Sequence, residues 1–188
     1  EEVRKQRYQY ILELVDVIED YNSTLTRWIQ MKQGMLNLRI ESFSLQQLFD
    51  IVEKGKTSFQ MKGIRLVVKP TDAVLKADRA LTLFMINTIA DNARKFTPAG
   101  GEVVVEAQVK AEDKYVEISI TDNGKGMDEE QLAHVFDRAY TGGHGFGLIN
   151  CKGIIEKNKK TTRMYHNCDI SLQSMVGKGS PVAFRLPA

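Results

Sequence analysis

The sequence predicts a two-layer α/β sandwich preceded by one long helix of a helical bundle. Three observations carry this expectation. Residues 9–38 hold apolar side chains in heptad tracks. Residues 102–109 and 115–121 alternate apolar and polar as two strands of a hairpin. Residues 78–95 place Leu81, Phe84, Met85, Ile89 and Ala93 on or near one helical face.

The first helix is read from its periods. Ile11, Ile18, Leu25 and Lys32 recur every seven residues, as do Leu14, Tyr21, Trp28 and Met35. Val15, Ile29 and Leu36 form a third track, which widens the stripe beyond a two-stranded coiled coil toward a bundle. One helix cannot bury such a stripe, so partner helices are expected. Ser42-Phe43-Ser44 breaks the pattern, and Ser44 can cap a helix from Leu45 toward Met61, with Gln47 at the capping-box position. A strand follows over 64–69, ended by Pro70-Thr71-Asp72, and a helix then runs over 78–95. Pro98-Ala99-Gly100-Gly101 is a turn before the strand pair, and Asp128 can cap a short helix to Asp137. A helix over 147–157, a polar and basic segment over 157–167, and strands over 170–174 and 182–186 complete the chain. The sheet is expected to be mostly antiparallel.

Composition bounds the function. The 188 residues are 43% hydrophobic and 27% charged, which suits a folded core. A net charge of +2 gives no general reason to expect nucleic acid as a partner. The two cysteines, Cys151 and Cys168, suggest no disulfide framework and fit a reduced, cytoplasmic setting. No apolar run reaches the length of a membrane span. The chain opens without a methionine inside a helical pattern, so it reads as part of something longer, with any membrane anchor upstream.

Three motifs carry chemistry. Asp91-Asn92-Ala93-Arg94-Lys95-Phe96-Thr97 ends a helix with a carboxamide and an ammonium three residues apart. The Asn92 carbonyl suits Mg²⁺, which takes few protein ligands when phosphates supply the rest, and Lys95 can reach phosphate oxygens. The same residues also describe an ordinary helix C-terminus with cations at the negative end of the dipole. Asp122-Asn123-Gly124-Lys125-Gly126 follows a strand. Its carboxylate can accept a hydrogen bond from an exocyclic amine, which separates adenine from guanine, while Gly124 and Gly126 permit close backbone approach. Alone, Asp-Asn-Gly is a common turn. Gly143, Gly145 and Gly147 precede a helix and can expose amides to phosphate. Their spacing and setting do not match a dinucleotide fingerprint, and Gly177-Lys178-Gly179-Ser180 lacks the upstream glycine of a P-loop.

In this order and setting the three motifs resemble those called N, G1 and G2 in the ATP-binding domain of sensor histidine kinases, within the superfamily shared with gyrase and MutL-type proteins. Phe136-Asp137-Arg138 resembles the family's F box, and Leu186-Pro187 its usual end. The resemblance implies that residues 1–42 are part of the dimerisation bundle and 43–188 the ATP-binding catalytic domain. It implies that Asn92 coordinates Mg²⁺, Lys95 contacts phosphates, Phe96 packs on the nucleotide and Asp122 binds the adenine amine. It further implies ATP as substrate, phosphoryl transfer to a histidine upstream of Glu1, a response regulator as the next acceptor, and a homodimer. His134, His144 and His166 are in the wrong settings to be that acceptor.

Two departures stand out. Thr88 occupies the position four residues before Asn92 where the family usually has Asn and related hydrolases have Glu. A threonine cannot act as general base there. The segment between Phe136 and Gly143 is short for the family's ATP lid. These leave open a nucleotide-binding module without phosphotransfer, and an anti-sigma-type serine kinase is a third reading.

Overall fold

The structure is a computed structural model that describes residues 3–5, 7, 8, 10–12, 15, 18, 22, 26, 29, 30, 33, 38–110, 112, 114–137 and 146–188. The elements in chain order are β1 (Ile40–Ser44), α1 (Leu45–Lys54), α2 (Lys56–Met61), β2 (Arg65–Val68), β3 (Val74–Asp78), α3 (Arg79–Phe96), β4 (Glu102–Lys110), β5 (Tyr115–Asp122), α4 (Glu129–His134), α5 (Phe146–Thr161), β6 (Ile170–Leu172) and β7 (Val182–Pro187). A 3₁₀ turn spans Arg163–Tyr165. Among the described residues no helix is long and apolar enough to cross a membrane.

Alternation writes the main sheet. Val103 and Val105 of β4, and Val116, Ile118 and Ile120 of β5, are all fully buried, one face of a period of two. Five strands run in the order β2-β4-β5-β7-β6. Every pair is antiparallel except β2 with β4. That parallel pair needs a long crossover, and the chain supplies it as β3 and α3. The sheet is therefore mixed, and its buried face meets the helices in one core that includes Phe49, Met85, Ile89, Cys151, Ile154 and Phe184.

Several boundaries differ from the sequence reading. The helix expected from Leu45 to Met61 is two helices parted at Gly55. Ser44 stands at the N-cap of α1 but makes no side-chain cap bond. The segment 42–44 is strand, not a break, since β1 pairs with β3 from Ile40↔Asp78 to Ser44↔Val74. Strand β3 was not expected: only Val74, Leu75 and Ala77 are apolar, and five residues directly before a helix give little period to read. Helix α5 runs four residues past 157, into the basic segment.

The described residues between 3 and 30 are helical. Tyr8 (61%), Ile11 (53%), Ile18 (56%) and Ile29 (42%) are all exposed, so these positions have no cover among the described residues. The track of Leu14, Tyr21, Trp28 and Met35, with Leu25, Lys32 and Leu36, lies outside the described residues.

Candidate functional site

Two regular patterns turn polar at the same end of the molecule. Along β5 the buried positions 116, 118 and 120 are followed in phase by Asp122, so a carboxylate takes a core-facing register. Along α3 the inward steps Leu81, Met85, Thr88 and Asn92 follow helical spacing, with Leu81, Met85 and Thr88 buried and Asn92 half-buried. A strand end and a helix end thus bring polar groups to one edge of the core.

Asp122 is 6% exposed, and its Oδ1 accepts a hydrogen bond from the Gly124 N–H at 2.8 Å. Burial pushes its carboxyl above the usual carboxylate range, and N–H donors from Gly124, Ser180 and its own backbone partly offset that. A carboxylate has about four acceptor positions, so these donors leave lone pairs for a further donor.

The loop after Asp122 is stapled to the turn between β6 and β7. Gly177 N–H donates to the Lys125 carbonyl at 2.8 Å, and Met127 N–H donates to Ser174 Oγ at 2.8 Å. Ser174 Oγ in turn shares a hydrogen bond with Ser180 Oγ at 2.7 Å. The packing leaves no room for side chains. A Cβ on Gly126 would lie 2.0 Å from the Met175 carbonyl oxygen, and one on Gly179 would lie 1.8 Å from the Asp122 carbonyl oxygen. A Cβ on Gly124 would lie 2.7 Å from both Asp122 Oδ1 and the Phe96 carbonyl oxygen, so this glycine brings the loop onto the end of α3. The Gly177–Ser180 turn was missed as part of the site. Its signal was the pair of glycines, read only as a failed P-loop.

At the end of α3, Gly147 meets Thr88 and Asn92. A Cβ on Gly147 would lie 2.7 Å from Thr88 Cγ2 and 3.6 Å from Asn92 Nδ2. Gly147 is thus set against the helix bearing Asn92, while Gly143, His144 and Gly145 lie outside the described residues. Thr88 is 5% exposed and its hydroxyl has no hydrogen-bond partner among the described residues. The Asn92 carboxamide makes no hydrogen bond to a described residue either.

Lys95 Nζ pairs with Asp91 Oδ2 at 2.8 Å, while Arg94 holds Asp91 Oδ1 at 2.7 Å. Burial tends to raise the Asp91 carboxyl, but the hydrogen bonds from Lys95 and Arg94 outweigh it and hold Asp91 below the ordinary range. Asp91 therefore tethers the ammonium, and two N–H donors of Lys95 stay available. Phe96 is 57% exposed, with Lys125 Nζ 5.5 Å from its ring centroid. Lys62 closes the C-terminus of α3 by donating to the Arg94 and Lys95 carbonyls at 2.6 and 2.7 Å. Neither Lys62 nor Lys125 was singled out from the sequence, since a lone lysine in a turn carries no pattern.

Phe136 packs against the core, with Lys152 of α5 5.0 Å from its ring centroid. Arg138 lies outside the described residues. His134 and His166 are exposed, His134 at the end of α4 and His166 after the 3₁₀ turn.

A profile of the family described as histidine kinase-, DNA gyrase B-, and HSP90-like ATPase matches residues 77–188, from the end of β3 through the whole site. The chain belongs to this ATPase family. It is similar to the sensor histidine kinase WalK of Bacillus subtilis, 30% identical over 125 residues that cover 62% of this chain and 19% of WalK. It is similar to the adaptive-response sensory kinase SasA of Rippkaea orientalis, 32% identical over 147 residues that cover 73% of this chain and 35% of SasA. The fold matches a crystal structure of full-length ShkA in complex with AMPPNP, with a TM-score of 0.70 and 22% identity over 87% of this chain and 34% of ShkA. The chain thus spans between about a fifth and a third of the length of these two curated relatives. It is a histidine-kinase-type ATPase domain, and the α/β sandwich expected from the sequence is the fold of that family.

Proposed function

We propose that this chain is the ATP-binding catalytic part of a sensor histidine kinase, acting in the cytoplasm with the helical segment that precedes β1 as part of a dimerising bundle. The observation that carries this is the buried Asp122 carboxylate, held by Gly124 and Ser180 N–H at the edge where Thr88, Asn92 and Gly147 meet. The AMPPNP bound by the structurally similar ShkA supports a nucleotide as the ligand.

In this reading Asp122 accepts the adenine amine, and Gly124 keeps the loop close to the base. Phe96, exposed at the rim with Lys125, covers the nucleotide. Lys95 balances phosphate charge, held in reach by Asp91. Gly143, Gly145 and Gly147 offer backbone amides to phosphate. Among the described residues no group of three His, Cys, Asp or Glu could hold a metal ion. Asn92 would therefore be a lone protein ligand, which fits Mg²⁺ completed by phosphate and water. When bound, that ion neutralises charge on the phosphate oxygens. The residues orient ATP so that a histidine outside this chain attacks the γ-phosphorus, an N–P bond forms and ADP leaves. The phosphoryl then passes to an aspartate of a response regulator. Phosphoryl transfer goes through a loose transition state, so positioning and charge balance are most of what the residues must supply.

The test is incubation of a longer parent protein, carrying the accepting histidine, with γ-radiolabelled ATP. Acid-labile, base-stable label that disappears in Asp122→Asn is expected. Full ATP binding with no such label would overturn the kinase reading and leave a nucleotide-responsive module.

A further inference from the structure

The end of α5 and the turn after it carry an unbalanced charge that the nucleotide site does not use. Residues 157–167 contain four cations, Lys157, Lys159, Lys160 and Arg163, and no carboxylate. The rest of the chain holds 22 cations against 24 carboxylates, so it is slightly acidic. Some cations elsewhere on the surface are matched, as in Lys69–Glu106 at 2.6 Å and Arg185–Glu117 at 2.8 Å. None of these four has an ion-pair partner among the described residues. Lys159 and Lys160 suit the negative end of the α5 dipole, but Arg163 lies beyond the helix and gains nothing from it.

The segment is fixed, not a solvated tail. Thr162 N–H donates to the Asn158 carbonyl at 2.9 Å, Tyr165 N–H to Thr162 at 3.2 Å, and Cys168 N–H to Tyr165 at 3.0 Å. Asn158 (2%), Tyr165 (1%) and Cys168 (1%) are buried beneath it, and the Tyr165 hydroxyl accepts from the Asp78 backbone N–H. The cations therefore project from a rigid base, and a partner would order little on binding. Exposed Met164 (42%) lies among them.

We propose that this surface docks an acidic patch on a folded partner protein. A cluster of carboxylates beside an apolar contact matches the four cations and Met164. Nucleic acid and anionic membranes spread their charge widely and would also meet the acidic remainder of the chain. The surface is separate from the nucleotide site. Helix α5 begins beside Asn92 and runs 16 residues, about 24 Å at ~1.5 Å per residue, so an occupant at its far end leaves the site open.

The probe is a fluorescein-labelled peptide of ten glutamates, read by anisotropy against the whole chain at low and moderate salt. Phosphatidylserine vesicles and duplex DNA are the competing ligands. Salt-sensitive binding of the peptide is expected. The variant Lys159→Glu/Lys160→Glu/Arg163→Glu should weaken it at least tenfold, and the milder glutamine triple should weaken it less. A control with equal charge change elsewhere, Lys54→Glu/Lys56→Glu/Lys76→Glu, should bind as the parent does, and unfolding transitions establish that every variant is folded. Equal losses in both glutamate triples, no peptide binding by the parent, or tighter binding to vesicles or DNA would each overturn the proposal.

Discussion

Gly177 and Gly179 lie in one turn with nearly the same backbone, φ +77° and +84°, yet alanine should affect them very differently. At Gly177 a Cβ meets nothing within 4 Å. Gly177→Ala should therefore cost only the left-handed conformation, about 1–2 kcal/mol. At Gly179 the Cβ would lie 1.8 Å from the Asp122 carbonyl oxygen, against a floor of 3.0 Å for real contacts, so backbone must retreat by about 1.2 Å. That retreat opens the turn and breaks the Ser180 N–H bond to Asp122 and the Met175–Gly179 bridge. Two hydrogen bonds at about 1 kcal/mol each, added to the conformational cost, bring Gly179→Ala to about 3–4 kcal/mol. Urea unfolding monitored by circular dichroism measures both, with stability read from the midpoint at unchanged slope. A gap of about 2 kcal/mol is expected, together with weaker nucleotide binding by Gly179→Ala alone. Equal losses in the two variants would refute the claim that this turn closes on Asp122.

Other substitutions probe the polar end of α3. Thr88→Val removes a buried hydroxyl with no partner, so the free protein should gain on the order of 1 kcal/mol in urea unfolding, and a loss would mean the hydroxyl is bonded. Lys62→Met removes a charged donor to two carbonyls and should cost about 1.5–3 kcal/mol, with weaker nucleotide binding because α3 frays beside Asn92. The carboxyl of Asp91 is held below its ordinary value, so its contribution is present above the unfolded-state pKa and is lost as pH falls through the folded-state one. Asp91→Asn should therefore flatten the acid limb of the stability profile, by less than about 1 kcal/mol because the Asp91 side chain is 43% exposed. Asp122 has the opposite sign. With its carboxyl raised, its contribution is present at low pH and is lost as pH rises through the folded-state pKa, and Asp122→Asn should remove that dependence from thermal scans.

Long periodic elements could be read directly from the sequence. The alternation in β4 and β5 and the apolar face of α3 each repeat over several turns or pleats, so single exceptions do not hide them. Asp122, Thr88 and Asn92 could be singled out because their motifs, in order and spacing, resemble the family's, and the structure adds that each keeps the phase of a buried series while changing its chemistry. Contacts made by backbone alone were hidden. Nothing in Gly179 or Ser174 announces that their turn closes on Asp122, since this depends on how the β6–β7 hairpin meets β5 across about fifty residues of chain. Strand β3 was hidden for a related reason. Its partner β1 comes from the far side of two helices, and tertiary pairing, not local propensity, makes both segments extended.

Nucleotide selectivity at Asp122 tests the central claim most directly. Thermal unfolding of the chain and of Asp122→Asn would be followed with Mg·ATP and with Mg·GTP. ATP at about a hundred times its dissociation constant should add roughly 2.7 kcal/mol, a rise on the order of 5–10 °C. GTP at the same concentration should add far less, since its carbonyl replaces the amine that Asp122 is proposed to accept from, and Asp122→Asn should lose the ATP response while remaining folded. Equal shifts with ATP and GTP, or an undiminished ATP shift in Asp122→Asn, would contradict the adenine site proposed for this chain.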